Sequence, residues 1–233
     1  MFFKNPVPQL LSDHNHDNVE ILLFFCVFWT GLYILLHKMI GGENTKKMLD
    51  TKNRAVSIVH GLLSFSLACI DVFGHKCSMN QPTSNFQSNI LLSSLGYFLY
   101  DLIACYYYGL FDMDLLIHHA VASLGLAWGV FSGWGASCAI TGIVITEVSN
   151  FPMHVRNIAR NFGRKHTKIY EYNERAYFFL YIVSRGIFGP ECLIRGLRSK
   201  NNPWVPCIVC ALLCLQSYMF MGKMFKIIKR KIA

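Results

Sequence analysis

Two adjacent histidines, His118 and His119, lie in the apolar stretch Leu115-Leu116-Ile117-His118-His119-Ala120-Val121-Ala122. A neutral imidazole carries one N–H and one lone pair, so it can work as a general base or as a covalent nucleophile. Acyl transfer from a thioester to an amine or hydroxyl needs that base, a carboxylate or tyrosine to fix its tautomer, and a donor for the oxyanion. Each ionisable group in a spanning helix costs on the order of 2–3 kcal/mol or more to insert, so the pair must face a polar interior. The two rings leave their helix about 100° apart, so only one points at a given substrate atom and the other turns toward a neighbouring helix.

Further polar residues interrupt the other apolar runs: His60, Asp101, Glu147, Asn150 and Arg185. Tyr97 and Asp101 are i,i+4 neighbours, which places the tyrosine hydroxyl within reach of the carboxylate. Glu147 and Asn150 at i,i+3, and Asn150 and His154 at i,i+4, make a polar stripe. Each has a structural alternative: an interfacial or packing role for His60, an ion pair with Glu147 or Asp101 for Arg185, and a helix–helix hydrogen-bond cluster for the histidines with Asp101.

The elements that must position these groups are spanning helices. Of 233 residues, 53% are hydrophobic, and the apolar runs recur between short polar stretches. Their lengths predict about seven transmembrane helices, at 19–40, 55–74, 89–108, 114–133, 136–157, 175–196 and 204–226. Phe111-Asp112-Met113-Asp114 and Ser132-Gly133-Trp134-Gly135 read as tight turns. The start lacks the pattern of a cleaved signal or transit peptide, so the first span is expected to act as an uncleaved signal anchor.

A net charge of +9 would suit nucleic acid, but its placement is topological. Lys and Arg cluster at 41–54, at 156–175 and in the tail, three segments on one side of a seven-span chain, which the positive-inside rule makes cytosolic, or the matrix side in a mitochondrial membrane. Arg195, Arg198 and Lys200 run mildly against this. The basic side also suits anionic lipid or a coenzyme A ester. Counted from that side at 1.5 Å per residue, His60, Asp101, His118, His119, Asn150, Glu147 and Arg185 lie roughly 6–15 Å deep, one polar layer that predicts a water-accessible cavity.

The same residues exclude other chemistries. A di-iron membrane oxidase needs many more clustered histidines, a structural zinc site needs four convergent ligands, and neither a phosphate loop nor a GxSxG elbow is present. The nine cysteines fall mostly inside spans and do not form a secreted framework. Cys207, Cys210 and Cys214, at i, i+3 and i+7, read as small apolar residues, with metal binding as the alternative. Tyr106-Tyr107-Tyr108 reads as an interfacial aromatic belt.

Five stretches, in order, resemble the TLC-domain family of membrane proteins, which includes the ceramide synthases. They are Lys52-Asn53-Arg54-Ala55-Val56-Ser57-Ile58-Val59-His60, Gly96-Tyr97-Phe98-Leu99-Tyr100-Asp101-Leu102, Asp114-Leu115-Leu116-Ile117-His118-His119, Glu147-Val148-Ser149-Asn150 and Arg156-Asn157. The resemblance divides the chain into an N-terminal tail at 1–18, a leading helix and basic loop at 19–50, and a TLC-type six-helix domain at 51–233 around a polar-lined cavity. It implies an all-α polytopic membrane protein that accommodates a lipid or acyl chain. In the ceramide synthase branch the histidine pair serves N-acylation by acyl-CoA, which would make His118, His119 and Asp101 catalytic here. His60, Tyr97, Glu147, Asn150 and Arg185 would line the substrate. The synthase pattern of His-Asp and further aspartates is absent, since the chain reads Phe151-Pro152-Met153-His154-Val155-Arg156. It looks closer to the small TLC-domain-containing proteins linked to membrane phospholipid composition.

Two readings follow. One is lipid handling, by His-dependent acyl transfer with acyl-CoA as co-substrate or by regulation of membrane lipid composition. The other is a non-catalytic accessory subunit of a larger membrane assembly. The expected partners are membrane lipids and a membrane assembly or homodimer, with no nucleic acid, no metal and no bound cofactor. A transporter would show a broken-helix inverted repeat, which is not visible. The tail Lys229-Arg230-Lys231-Ile232-Ala233 fits a Lys-x-Lys-x-x retrieval pattern, which favours the endoplasmic reticulum over the mitochondrial inner membrane.

Overall fold

A computed structural model describes residues 13–75, 77–110 and 112–232. The N-terminal tail expected at 1–18 lies outside the described residues up to position 12, and from Asp13 the chain is already helical. Among these described residues eight helices follow one another: α1 (Asp13–Ile40), α2 (Lys46–Cys69), α3 (Asn85–Tyr107), α4 (Met113–Phe131), α5 (Ala136–Asn161), α6 (Lys168–Tyr181), α7 (Gly189–Arg198) and α8 (Trp204–Ile232). A wide π-type turn at Ile70–Gly74 ends α2, and a second at Ile182–Phe188 joins α6 to α7. The sixth predicted span is therefore one rod with an interruption at Arg185.

Among the described residues, six segments are long and apolar enough to cross a membrane: His16–Ile40, Lys46–Gly74, Asn85–Tyr107, Met113–Phe131, Lys168–Arg198 and Trp204–Lys226. The fifth predicted span, α5, has 26 residues and so reaches about 39 Å, but its polar groups lower its hydropathy. It packs on α2, α3, α4, α6 and α7, so those groups meet other helices instead of lipid.

Local chemistry sets the helix ends. Ser84 and Gln87 form a reciprocal capping box at α3, and Thr45, Asp112 and Thr167 cap α2, α4 and α6 by accepting backbone N–H bonds. Gly135 opens α5 at φ 87°, a left-handed conformation that a side chain disfavours, and a Cβ there would lie 2.5 Å from Pro206. Pro190, at the start of α7, has no N–H to offer the preceding turn, and the Tyr218 hydroxyl of α8 donates to the Gly186 carbonyl at 2.8 Å.

Hydrogen bonds identify the two ends of the bundle. At the basic end, Asn161 donates to Asp50 and to the Lys47 carbonyl, and Lys223 pairs with Asp114. At the other end, Thr83 bonds Gly133, and Asn80 bonds Ser199 and Asn201. A buried polar knot ties the helices beneath that second end: Gln87 donates to Asp71 at 2.8 Å and to Ser137 at 3.1 Å, and Ser137 donates to the Ser78 carbonyl.

The apolar core runs through α3, α4 and α5 around Leu91, Leu92, Leu126 and Ile140, and a second cluster centres on Trp29, Val56, Tyr97 and Tyr100. Outward-facing large apolar residues such as Phe24, Val27, Ile103, Leu124 and Phe179 cover the perimeter, as lipid requires. The expected tyrosine belt divides: Tyr106 and Tyr107 are exposed, whereas Tyr108 packs on Tyr33. The leading helix α1 seats on α3 at Gly96, where an added Cβ would lie 2.8 Å from the Phe25 Cβ. Gly96→Ala should push α1 away and cost about 1–3 kcal/mol, a lower thermal midpoint in detergent; an unchanged midpoint would show that α1 is not clamped there.

Candidate functional site

The histidine pair splits between two environments. His119 points from α4 into α3, where its Nε2 lies 3.0 Å from Asp101 Oδ2. The other Asp101 oxygen accepts from Asn53 Nδ2 of α2 at 2.7 Å, and Asn53 Oδ1 accepts the Tyr100 hydroxyl at 2.7 Å. His119, Asp101 and Asn53 are all buried. The His119 Nδ1 faces the Leu115 carbonyl at 2.9 Å, so both ring nitrogens meet acceptors.

His118 faces the other way, into a half-open cavity of about 920 Å³ counted with its mouth. Gln216 of α8 donates through Nε2 to the Asp114 carbonyl at 2.7 Å, which turns its Oε1 toward His118 Nδ1 at 3.3 Å. That order assigns the amide orientation, and it puts the His118 proton on Nδ1. The lone pair on Nε2 has no partner among the described residues and is left to the cavity.

At the same end the cavity is lined by His60, Glu147 and Arg185. His60 stacks on Tyr97, with ring centroids 3.9 Å apart, and its Nε2 lies 3.2 Å from the Ser94 hydroxyl. Glu147 is buried and reaches across to α2, where Gly61 leaves room: a Cβ at 61 would lie 2.8 Å from Glu147 Oε2. Arg185 sits in the wide turn after α6 and donates to Ser149 Oγ at 3.3 Å, the Thr146 carbonyl at 3.2 Å and Asn150 Oδ1 at 2.7 Å. Its guanidinium also lies 4.8 Å from the Tyr181 ring centre.

From this polar end the cavity extends past Phe98, Leu126, Ile143, Val209 and Leu213 to Cys138 and Pro206. Along α8, from Ser217 to Pro206, that is about 16 Å. Four thiols, Cys138, Cys192, Cys210 and Cys214, line this arm, and Cys192 donates to the Cys138 carbonyl at 3.9 Å. Cys207 instead accepts from Asn202 at 3.3 Å. Among the described residues, no group of three or more His, Cys, Asp or Glu is arranged to hold a metal ion. The shape is an apolar slot with a polar end, which suits an amphiphile.

Several expectations need correction. Tyr97 does not orient Asp101; its hydroxyl donates to Ser57 at 2.8 Å, and Asn53 holds the carboxylate instead. Arg185 forms no ion pair with Glu147 or Asp101 and is held by neutral acceptors. Asn150 serves as one of those acceptors and does not line the cavity. The single polar layer resolves into a sealed clasp, His119 with Asp101, and a cavity end, His60 with His118, Glu147 and Arg185. His154 turns away toward Arg54 Nη1 at 3.5 Å.

Asn53 joins the site from outside the expected set, and its signal is helical spacing: Asn53, Ser57, His60 and Ser64 all fall on the buried face of α2. Gln216, a lone amide in an apolar run, was a comparable signal. Breaking a buried pair by removing one partner costs about 3–5 kcal/mol. Asp101→Ala or His119→Ala should therefore collapse the yield of folded protein. His118→Ala removes one long hydrogen bond and should leave the thermal midpoint within a few degrees. Equal destabilisation by the two histidine substitutions would contradict the division of roles.

Comparison with known proteins agrees with this architecture. The family model described as TLC domain matches residues 50–229. TLC domain-containing protein 4 A of Dictyostelium discoideum is 26% identical over 200 residues, covering 77% of this chain and 77% of that protein. TLC domain-containing protein 4 C of the same organism is 27% identical over 182 residues, covering 72% of this chain and 66% of that protein. No solved structure matches. A bundle of six apolar spanning segments, and a family match across most of it, make this chain an integral multi-pass membrane protein of the TLC-domain family, outside its ceramide synthase branch.

Proposed function

We propose that the protein transfers an acyl group from acyl-CoA to the amine or hydroxyl of a membrane lipid held in the cavity, with His118 as general base. TLC-domain proteins are in general lipid-related membrane proteins, and the observation that carries the finer reading is the free Nε2 of His118 at the polar end of an apolar slot. The thioester presents its carbonyl there with its acyl chain along the Cys138–Pro206 arm. His118 Nε2 takes the proton of the acceptor hydroxyl or amine as the new C–O or C–N bond forms. The tetrahedral adduct then expels the coenzyme A sulfur, breaking the C–S bond, and the imidazolium returns the proton to that thiolate.

His119 and Asp101 act as positioning residues: their clasp fixes the rotation of α4 that aims His118 into the cavity. The basic end, with Lys46, Lys47, Arg160, Arg164 and Lys168, suits the phosphates of coenzyme A at the cytosolic face of the endoplasmic reticulum membrane.

Purified protein in lipid nanodiscs, given acyl-CoA and lysolipid or long-chain amine acceptors, should release free coenzyme A and an acylated lipid. His118→Ala should reduce the rate by about 10²–10⁴, the usual contribution of a general base. Gln216→Leu, which frees the ring to change tautomer, should lower kcat with little change in KM. Turnover unaffected by His118→Ala, or none with any acceptor, would overturn this reading and leave an accessory role in a membrane assembly.

A further inference from the structure

Arg185 is the only Lys or Arg lining the cavity among the described residues, and its electrostatics are incomplete. The residue is 7% exposed. A buried charge is ordinarily paired with an opposite charge, because desolvation penalises it otherwise. Here all three acceptors, Ser149 Oγ, the Thr146 carbonyl and Asn150 Oδ1, are neutral, and no carboxylate lies within ion-pair distance.

A guanidinium has five N–H donors in a planar fork. Nε and the two hydrogens of Nη2 account for the three bonds, leaving both Nη1 hydrogens without a protein acceptor. Nη1 is not among the sealed, unpartnered polar atoms of the described residues, so it retains access to open space, and the space that Arg185 lines is the cavity. The Tyr181 ring covers one face of the fork, with the guanidinium carbon 4.8 Å from the ring centre. Two free N–H donors on one nitrogen of a cation with no carboxylate within ion-pair distance favour an anionic acceptor, whose oxygens form charge-assisted hydrogen bonds to Nη1.

We propose that the cavity selects amphiphiles whose polar end is an oxyanion, a phosphate or a carboxylate, bound by Arg185 Nη1. This rests on the reading of the cavity as a lipid site and names the class of lipid. Among the described residues Glu147 is the only carboxylate lining the cavity, and it limits the anionic charge the site tolerates. It thereby sets the selection against a second negative group near the first. A neutral head group leaves Nη1 desolvated and unbonded, which penalises it.

The test uses full-length protein in neutral detergent and three probes with the same acyl chain: oleate, 1-oleoyl lysophosphatidate and 1-oleoylglycerol, in displacement of a fluorescent fatty acyl reporter. At least one anionic probe should bind about tenfold or more tighter than 1-oleoylglycerol, the value of one hydrogen bond to a charged group. Whichever anionic probe binds tighter identifies the source. Arg185→Gln should remove the preference, and Glu147→Gln, which leaves Arg185 in place, should strengthen it. Equal binding of all three probes, a preference that survives Arg185→Gln, or no gain in Glu147→Gln would overturn the proposal. His118-dependent turnover with neutral acceptors and no anion preference would overturn it while sparing the acyl-transfer reading. Arg185-dependent anion binding without turnover would do the reverse.

Discussion

A carboxylate and an imidazole 3.0 Å apart, both sealed from solvent between two helices, leave little freedom to the helices that carry them. Asp101 on α3 has both oxygens engaged, by His119 from α4 and by Asn53 from α2. Three helices are thus joined at one point by groups that cannot be left unpaired in a low-dielectric interior. The neighbouring residue on α4 is carried by that constraint: with His119 turned into α3, His118 must leave the helix about 100° away, on the side of α5 and α8. The cavity lies on that side, so the clasp determines which imidazole is reactive and where it points.

A second consequence concerns which polar groups are spent on structure. Asn53, Tyr100, Ser57 and Tyr97 satisfy one another across α2 and α3, and Gln87, Asp71 and Ser137 do the same near the opposite end. These networks replace the water that lipid cannot provide. His118 Nε2 and Arg185 Nη1 differ from them in having no hydrogen-bond partner among the described residues, and both residues line the cavity. Satisfaction is thus incomplete at the polar end of a slot whose remaining wall is mostly apolar.

Much of this was legible in the residue order. Apolar run lengths specify the spanning rods, and the Lys and Arg clusters specify which loops share a side, because lipid thickness and the insertion penalty for charge leave few alternatives. The inward aim of the polar residues follows from the same penalty. Pairing does not, because depth along a helix says nothing of azimuth. Tyr97 and Asp101 share a face at i,i+4, yet α2 presents Ser57 to one and Asn53 to the other. For Arg185, the π-type turn that carries it is followed by Pro190, a local signal, but is met by the Tyr218 hydroxyl from a helix thirty residues on, a tertiary contact that the residue order does not announce. The split of the histidine pair was foreseeable in kind, from the 100° step, but not in which ring would be sealed.

In the proposed function the slot between α4, α5, α7 and α8 holds an acyl chain with its polar end at His118 and Arg185. Photo-crosslinking with fatty acyl probes carrying a diazirine at graded positions along the chain tests it most directly, with the labelled residues mapped by mass spectrometry. A diazirine near the head should label peptides containing His118, Glu147 or Arg185. One near the methyl end should shift the label to the segments around Cys138 and Pro206, and excess unlabelled lipid should compete both away. Labelling confined to the lipid-facing perimeter, such as Phe24 and Val27 of α1, with no dependence on diazirine position, would contradict the account.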